Sequence, residues 1–290
     1  MTSPEWTRTF LSPGIAESLI AEADNLVASL ATAEDESARS KTREEASALY
    51  LRACCIYRIA RFPYITSFPQ INDREKWNAW EKQKETYMKA GQLWEDTPLR
   101  EVAVPFVHRR RRSEQDEGES IPVYVRLPSG FDFGAFSRGE RGDESEGFPV
   151  VILMTGLDGY RPDNTVRCEE FLKRGWAVVV VEIPGTADCP ADPADAESPD
   201  RLWTSLLEWM ETYNHHSGKE EEEEKDVEKK TFDMKRVMVW GLSAGGYYAV
   251  RIAHTHKDKL AGVVAQGAGV HYFYDAEWLK RVDGHEYPAQ

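Results

Sequence analysis

The sequence predicts an α/β fold, in which a mostly parallel sheet follows a helical N-terminal region. Apolar residues recur at helical spacing through the first hundred residues. From Glu101 onward, short apolar runs alternate with segments of helical periodicity, a pattern typical of parallel strands connected by helices. We therefore expect two parts, a helical lid or cap over residues 1–100 and an α/β core over residues 101–290.

The N-terminal part contains three segments with an apolar stripe on one face. The spacing predicts helices near residues 15–30, 46–60 and 77–88. Asp73 precedes the third segment as a candidate helix cap, and Trp80 belongs to an aromatic stripe along that segment. Such a stripe is more often core packing than a binding surface, but a helical layer over a site can serve both purposes. We keep Trp80 as a candidate substrate contact.

The core part contains six short apolar runs that predict strands. They cover residues 102–107, 121–125, 150–154, 177–181, 237–240 and 260–264. The last four are continuously apolar, as expected for strands that are buried on both faces of a parallel sheet. Helix candidates at residues 164–174, 199–213 and 244–256 separate them.

Composition limits the classes of partner. The net charge of −14 over 290 residues argues against nucleic acid or an anionic membrane surface, which attract basic patches. No apolar run approaches membrane-spanning length, and the first residues do not resemble a signal peptide. The four cysteines show no metal-ligand spacing, and no nucleotide-binding or HExxH motif is present. We expect a cytoplasmic protein that needs no cofactor or metal and does not insert into a membrane.

The pentapeptide Gly241-Leu242-Ser243-Ala244-Gly245 is the strongest functional motif. It lies between an apolar strand-like run and a helix-like segment, where a sharp strand-to-helix turn presents a serine hydroxyl above the sheet. The helix N-terminus beneath it would stabilise developing negative charge. Ser243 is therefore a candidate catalytic nucleophile. The alternative is an ordinary serine in a surface turn.

A glycine-bearing loop follows the predicted strand that ends at Met154. In such architectures, backbone N–H groups from this loop and from the residue after the nucleophile bind the carbonyl oxygen under attack. Gly156, Leu157 and Ala244 are the candidates for this oxyanion hole. Asp158, in the same loop, either orients a substrate group or only stabilises the turn.

Together with the helical segment 50–63, these motifs resemble the FrsA-like group of α/β-hydrolases. Within that group, the chain is similar to the fungal yellowish-green pigment hydrolases, which shorten naphthopyrone polyketides in melanin synthesis, and more distantly to pseudooxynicotine hydrolases. The resemblance implies an α/β-hydrolase sheet with an N-terminal helical lid over Ser243 as nucleophile. It also implies hydrolysis of a carbon–carbon bond next to a ketone in a small aromatic or polyketide substrate.

The resemblance further implies a triad acid and histidine after the nucleophile, in the order Ser, Asp, His. Only 47 residues follow Ser243 (290 minus 243), so we expect both groups beyond residue 290. A compact triad could otherwise take its acid from Asp275 or Asp283 and its histidine from His271 or His285. Asp275 and Glu277 are also candidates for the border of the substrate pocket. A sheet without its last strands would expose an edge, which makes a homodimer an expectation.

Two other functions are alternatives, one within enzymes and one outside them. An esterase or acyltransferase would employ the same Ser243 nucleophile on a different carbonyl. A non-catalytic, hydrolase-like binding protein is the interpretation that gains weight if the natural chain ends at residue 290.

Overall fold

The described part of the helical region contains three α-helices, α1 (Pro13–Ser29), α2 (Glu36–Arg61) and α3 (Arg74–Gln92). The structure is a computed structural model, and it describes residues 13–32, 35–111, 116–129, 147–213, 231–267 and 269. The predicted cap Asp73 begins α3, since its carboxylate accepts a hydrogen bond from the Lys76 N–H at 3.1 Å. The role of this region as a separate lid stays a prediction.

The described sheet has six strands in the order β1-β2-β4-β3-β5-β6. The strands are β1 (Arg100–Pro105), β2 (Ser120–Arg126), β3 (Phe148–Met154), β4 (Ala177–Val181), β5 (Phe232–Leu242) and β6 (Gly262–Gln266). Strand β2 is antiparallel to both β1 and β4, and the pairs β4/β3, β3/β5 and β5/β6 are parallel. The predicted α/β fold with a mostly parallel sheet is confirmed.

Among the described residues, three α-helices lie in the connections between the parallel strands, and both faces of the central strands are covered. The helices are α4 (Thr165–Leu172), α5 (Ser198–Thr212) and α6 (Ala244–Thr255). On one face, Ile152 of β3 packs in a core cluster with residues of α5 and α6. On the other face, Leu153 packs in a second cluster with Cys168 of α4 and Tyr87 of α3. Such double coverage explains why β3 and β4 are continuously apolar.

The last two strands differ from the predicted bounds. Strand β5 begins five residues before the predicted run, and β6 lies two residues later than predicted. The later start places Gly262 opposite Met238 and brings Gln266 opposite Leu242, at the carboxyl end of β5. The preceding Ala261 N–H donates to the Val237 carbonyl at 2.8 Å, so Ala261 joins the two strands without belonging to β6.

Within the described part of the chain, no helix combines the length and apolar character needed to cross a bilayer. The same residues contain no group of three or more His, Cys, Asp or Glu side chains placed to hold a metal ion. All four cysteines are free thiols.

Candidate active site

Ser243 stands alone between the end of β5 and the start of α6, in a backbone conformation that few residues adopt. Its φ is 55° and its ψ is −126°, a region that costs a non-glycine residue about 1–3 kcal/mol. The Ser243 N–H donates to the Gln266 carbonyl of β6 at 2.8 Å, and the Ser243 carbonyl accepts from the Gly246 N–H at 2.9 Å. The serine is exposed, so this strained turn presents its hydroxyl above the carboxyl end of the sheet.

Two glycines of the pentapeptide are required by close backbone contacts. A Cβ atom on Gly241 would lie 2.2 Å from the Gly245 carbonyl oxygen. A Cβ atom on Gly245 would lie 2.3 Å from the Thr155 carbonyl oxygen, just beyond β3. Both distances are far below van der Waals contact with atoms that cannot move aside. The turn therefore needs glycine on both sides of Ser243, as the G-x-S-x-G pattern predicts.

The glycine-bearing loop after β3 passes directly beside the serine. A Cβ atom on Gly156 would lie 2.7 Å from Ser243 Cβ, 2.9 Å from Ser243 Oγ and 3.3 Å from the Ala244 nitrogen. Ala244 is the first residue of α6, where the N–H groups have no partner within the helix. The structure thus brings together three of the predicted site residues, Ser243, Gly156 and Ala244.

Beyond Gly156, side chains bind the loop carbonyls. The Leu157 carbonyl lies 3.0 Å from the Tyr160 hydroxyl, and the Asp158 carbonyl accepts from Arg61 at 3.1 Å. The Gly159 carbonyl accepts from the Thr155 hydroxyl. The Leu157 side chain is 43% exposed. These contacts hold the loop in place beside Ser243.

A buried polar cluster lies behind this loop and centres on Asp163. Its carboxylate binds Arg61 at 2.6 Å, Arg58 at 3.2 Å and the Gln83 amide at 3.1 Å. It also accepts from the Tyr160 N–H at 3.0 Å. Burial lowers the pKa of the fully buried Arg61, while Asp163 opposes that shift by stabilising the charged guanidinium. The cluster joins α2 and α3 to the loop beside the site.

A second buried cluster surrounds Arg161, which is 1% exposed. Arg161 binds Asp188 through two contacts of 2.6 and 3.0 Å, and its N–H donates to Glu182 at 2.8 Å. Burial raises the pKa of Glu182 to about 7. Burial alone would also raise the pKa of Asp188, but Arg161 and Lys84 outweigh it and lower that pKa to about 2. Asp188 therefore carries the charge that balances Arg161.

The other predicted site residues lie apart from Ser243 or outside the described residues. Trp80 is fully buried, with its ring packed edge-on against Tyr160 and the guanidinium of Arg61 5.5 Å from the ring centre. These contacts give Trp80 a packing role, and its contact with a substrate stays a prediction. Asp275 and Glu277 lie outside the described residues, as do the alternative triad residues His271, Asp283 and His285.

Sequence reasoning missed Arg61, Tyr160 and Asp163. Arg61 stands at the end of an amphipathic segment, where an arginine is expected to face solvent, and Asp163 occupies a connection that carries no motif. Arg58 and Arg61 do interrupt the region of α2 that is richest in apolar residues, but this interruption does not indicate what the two arginines contact.

Fungal proteins of known sequence resemble this chain over most of its length. Hydrolase acrC of Aspergillus aculeatus is 27% identical over 223 residues, which cover 76% of this chain and 46% of that protein. Hydrolase pyiE of Pyricularia grisea is 25% identical over 244 residues, which cover 78% of this chain and 44% of that protein. The chain spans less than half the length of these relatives. The narrower resemblance to pigment hydrolases stays a prediction.

Solved structures have the same fold as this chain, and the profile of a protein family matches most of its sequence. The 2,6-dihydroxy-pseudo-oxynicotine hydrolase superposes with a TM-score of 0.60 at 19% identity, over 92% of this chain and 59% of that one. AbyA5 superposes with a TM-score of 0.53 at 19% identity, over 92% of this chain and 60% of that one. The profile of the X-Pro dipeptidyl-peptidase (S15) family matches residues 59–284, well over half of the chain. The chain has the α/β-hydrolase fold and belongs to the X-Pro dipeptidyl-peptidase (S15) family.

Proposed function

We propose that the protein is a serine hydrolase in which Ser243 attacks a carbonyl carbon and forms an acyl-enzyme. The observation that carries this proposal is the strained turn that sets Ser243 against Gly156, so closely that a Cβ atom on that glycine would lie 2.9 Å from Ser243 Oγ. The N–H groups of Leu157 and Ala244 would bind the oxyanion that forms on the attacked carbonyl. Asp158 and the exposed Leu157 side chain would contact the substrate at the mouth of the site.

The proposed substrate is a small aromatic ketone of polyketide type, cleaved at the carbon–carbon bond beside the carbonyl. The support is the family resemblance of the Ser243 turn and the Gly156 loop, together with the similarity of fold to a hydrolase of 2,6-dihydroxy-pseudo-oxynicotine. A role in pigment or melanin synthesis and a cytoplasmic location are parts of the same proposal.

The reaction proceeds through two carbonyl additions. Ser243 Oγ forms a bond to the ketone carbon while a triad histidine, acting as general base, takes the hydroxyl proton. The tetrahedral intermediate collapses, the carbon–carbon bond breaks, and its electron pair leaves with the departing carbon, which takes up a proton. Water then attacks the acyl-serine, releasing a carboxylic acid and the free serine.

Turnover by the complete gene product tests this proposal. A naphthopyrone and a simple aryl ester should be assayed side by side, with Ser243→Ala as the inactive variant and circular dichroism as the check on folding. We expect Ser243→Ala to lower kcat by at least about 1000-fold on any substrate. Higher kcat/KM on the naphthopyrone supports carbon–carbon cleavage, higher kcat/KM on the ester supports the esterase alternative, and full activity of Ser243→Ala contradicts the nucleophile assignment.

The family match favours a second candidate, cleavage of a dipeptide ending in proline from a peptide N-terminus. An Xaa-Pro p-nitroanilide belongs in the same assay. The activity is established if the wild type releases p-nitroaniline and Ser243→Ala does not. Its absence beside an active ester or ketone assay would exclude it.

A further inference from the structure

We propose that Arg61 and Tyr160 are positioning residues that hold loop 155–160 in the conformation needed to bind an oxyanion. Arg61 thereby couples helix α2 to catalysis. The inference rests on the proposed function and concerns residues that do not themselves touch the reacting atoms.

Three consecutive carbonyls of the loop are bound by side chains. Tyr160 binds the Leu157 carbonyl, Arg61 the Asp158 carbonyl, and Thr155 the Gly159 carbonyl. In a trans peptide the C=O group and the following N–H group point in opposite directions. Three successive peptide planes, between Leu157 and Tyr160, are therefore held by side chains. The N–H groups of Asp158 and Gly159 face away from those side chains.

The Tyr160 hydroxyl has one proton, and the Leu157 carbonyl is the nearer of its two possible acceptors. The hydroxyl accepts from the Ile65 N–H at 2.9 Å and lies 3.0 Å from the Leu157 carbonyl and 3.2 Å from the Ile65 carbonyl. The Ile65 carbonyl already accepts from the Ala187 N–H at 2.9 Å. The Gly156–Leu157 peptide, which carries the Leu157 N–H, thus lies between a peptide plane held by Tyr160 and Gly156, where there is no room for a side chain beside Ser243.

Arg61 has no freedom to bind elsewhere. It is 0% exposed and donates to Gln83 at 2.6 Å and to Asp163 at 2.6 Å, in addition to the Asp158 carbonyl. Its guanidinium stacks 3.9 Å from the centre of the Tyr160 ring. Because Arg61 is the last residue of α2, it links the end of that helix to both the Asp158 carbonyl and the Tyr160 ring.

The expected effect is on the chemical step rather than on substrate binding. An oxyanion hole works because its donors are already aligned when negative charge develops, and misplacement by about 1 Å costs about 100-fold in rate. A substrate whose carbonyl is still neutral gains little from the same donors. Loosening the loop should lower kcat and leave KM nearly unchanged.

Tyr160→Phe tests the inference with the smallest change, since it removes one hydroxyl and keeps the buried ring. Its matched control is Tyr124→Phe, because Tyr124 is equally buried on strand β2 and its hydroxyl has no hydrogen-bond partner among the described residues. We expect Tyr160→Phe to lower kcat for an aryl ester about tenfold or more, with KM within about twofold of wild type. The affinity for an aryl boronic acid, which forms a tetrahedral anion on serine, should fall in parallel.

Arg61→Lys, with Arg126→Lys as its buried control, provides an independent variant, since a lysine keeps the charge but cannot supply the same fork of donors. Equal kcat in Tyr160→Phe, Tyr124→Phe and wild type would overturn the inference. So would a loss of kcat that is matched by an equal rise in KM, since that indicates a disturbed binding surface. A wild-type protein inert toward both the ester and a fluorophosphonate would instead refute the proposed function, and the inference with it.

Discussion

The nucleophile side of the site, residues 241–245, and the loop side, residues 155–163, are held in place by different kinds of contact. On the nucleophile side, backbone atoms touch backbone atoms, with glycines at Gly241 and Gly245 allowing the approach. On the loop side, buried side chains bind the backbone carbonyls. One of them is the charged Arg61 of helix α2, which also forms an ion pair with Asp163. One side is therefore encoded in five consecutive residues, whereas the other depends on residues far apart in the sequence.

This difference has an energetic consequence. Close packing of glycine backbones is disturbed only when a substitution adds atoms, and the resulting steric overlap is confined to the neighbouring residues. A buried ion pair fails when either partner is removed, because the remaining charge is left without compensation. The loop side should therefore be the more sensitive of the two to conservative substitutions.

The largest loss of stability is expected for Asp163→Asn. The substitution keeps the shape of the side chain but leaves the fully buried Arg61 without its carboxylate, which we expect to cost about 3 kcal/mol of unfolding free energy. Asp200→Asn is the matched control, because Asp200 binds Arg251 through two short contacts but both side chains are partly exposed. That control should lose about 1 kcal/mol or less. Urea unfolding measures both, and equal losses would contradict the contrast between buried and exposed pairs.

On the nucleophile side, Gly245→Ala should destabilise by about 2 kcal/mol, because the added Cβ would lie 2.3 Å from the Thr155 carbonyl oxygen. Alanine has the better helix propensity by about 1 kcal/mol, so a net loss identifies the contact as the cause. In Gly262→Ala the nearest atom to the added Cβ is 3.9 Å away, which makes that variant the control. A Gly245→Ala protein as stable as Gly262→Ala would show that the turn tolerates a side chain.

A smaller effect concerns the pH dependence of stability. Burial raises the pKa of Glu182 from its usual 4.5 to about 7, so between these values the folded protein holds a proton that the unfolded chain has released. The contribution of Glu182 to stability is therefore present below pH 4.5 and is lost as the pH rises toward 7. Glu182→Gln should flatten this part of the profile, and Glu75→Gln, at an exposed position of α3, should not. If the slope of unfolding free energy against pH is unchanged in Glu182→Gln, then groups other than Glu182 cause the pH dependence.

The two sides also differ in how far sequence alone could predict them. The strand, turn and helix around Ser243 follow from local periodicity and the glycine pattern, and the structure places them within a few residues of the prediction. Gly156 was predicted beside Ser243 because it directly follows a central strand. The roles of Arg61 and Tyr160 could not be predicted, because they depend on how α2 packs against the loop, and no local pattern encodes that contact. For Trp80 the sequence shows that the residue belongs to an aromatic stripe. It does not show which members of that stripe pack in the core and which face a cavity.

The most direct test of the central claim is to locate the reactive serine by mass spectrometry after treatment of the complete gene product with an alkyl fluorophosphonate. The account predicts one adduct, on the peptide that contains Ser243, with labelling abolished in Ser243→Ala and slowed in Tyr160→Phe but not in Tyr124→Phe. An adduct on another serine, or unchanged labelling of Ser243→Ala, would contradict the assignment of Ser243 as the nucleophile.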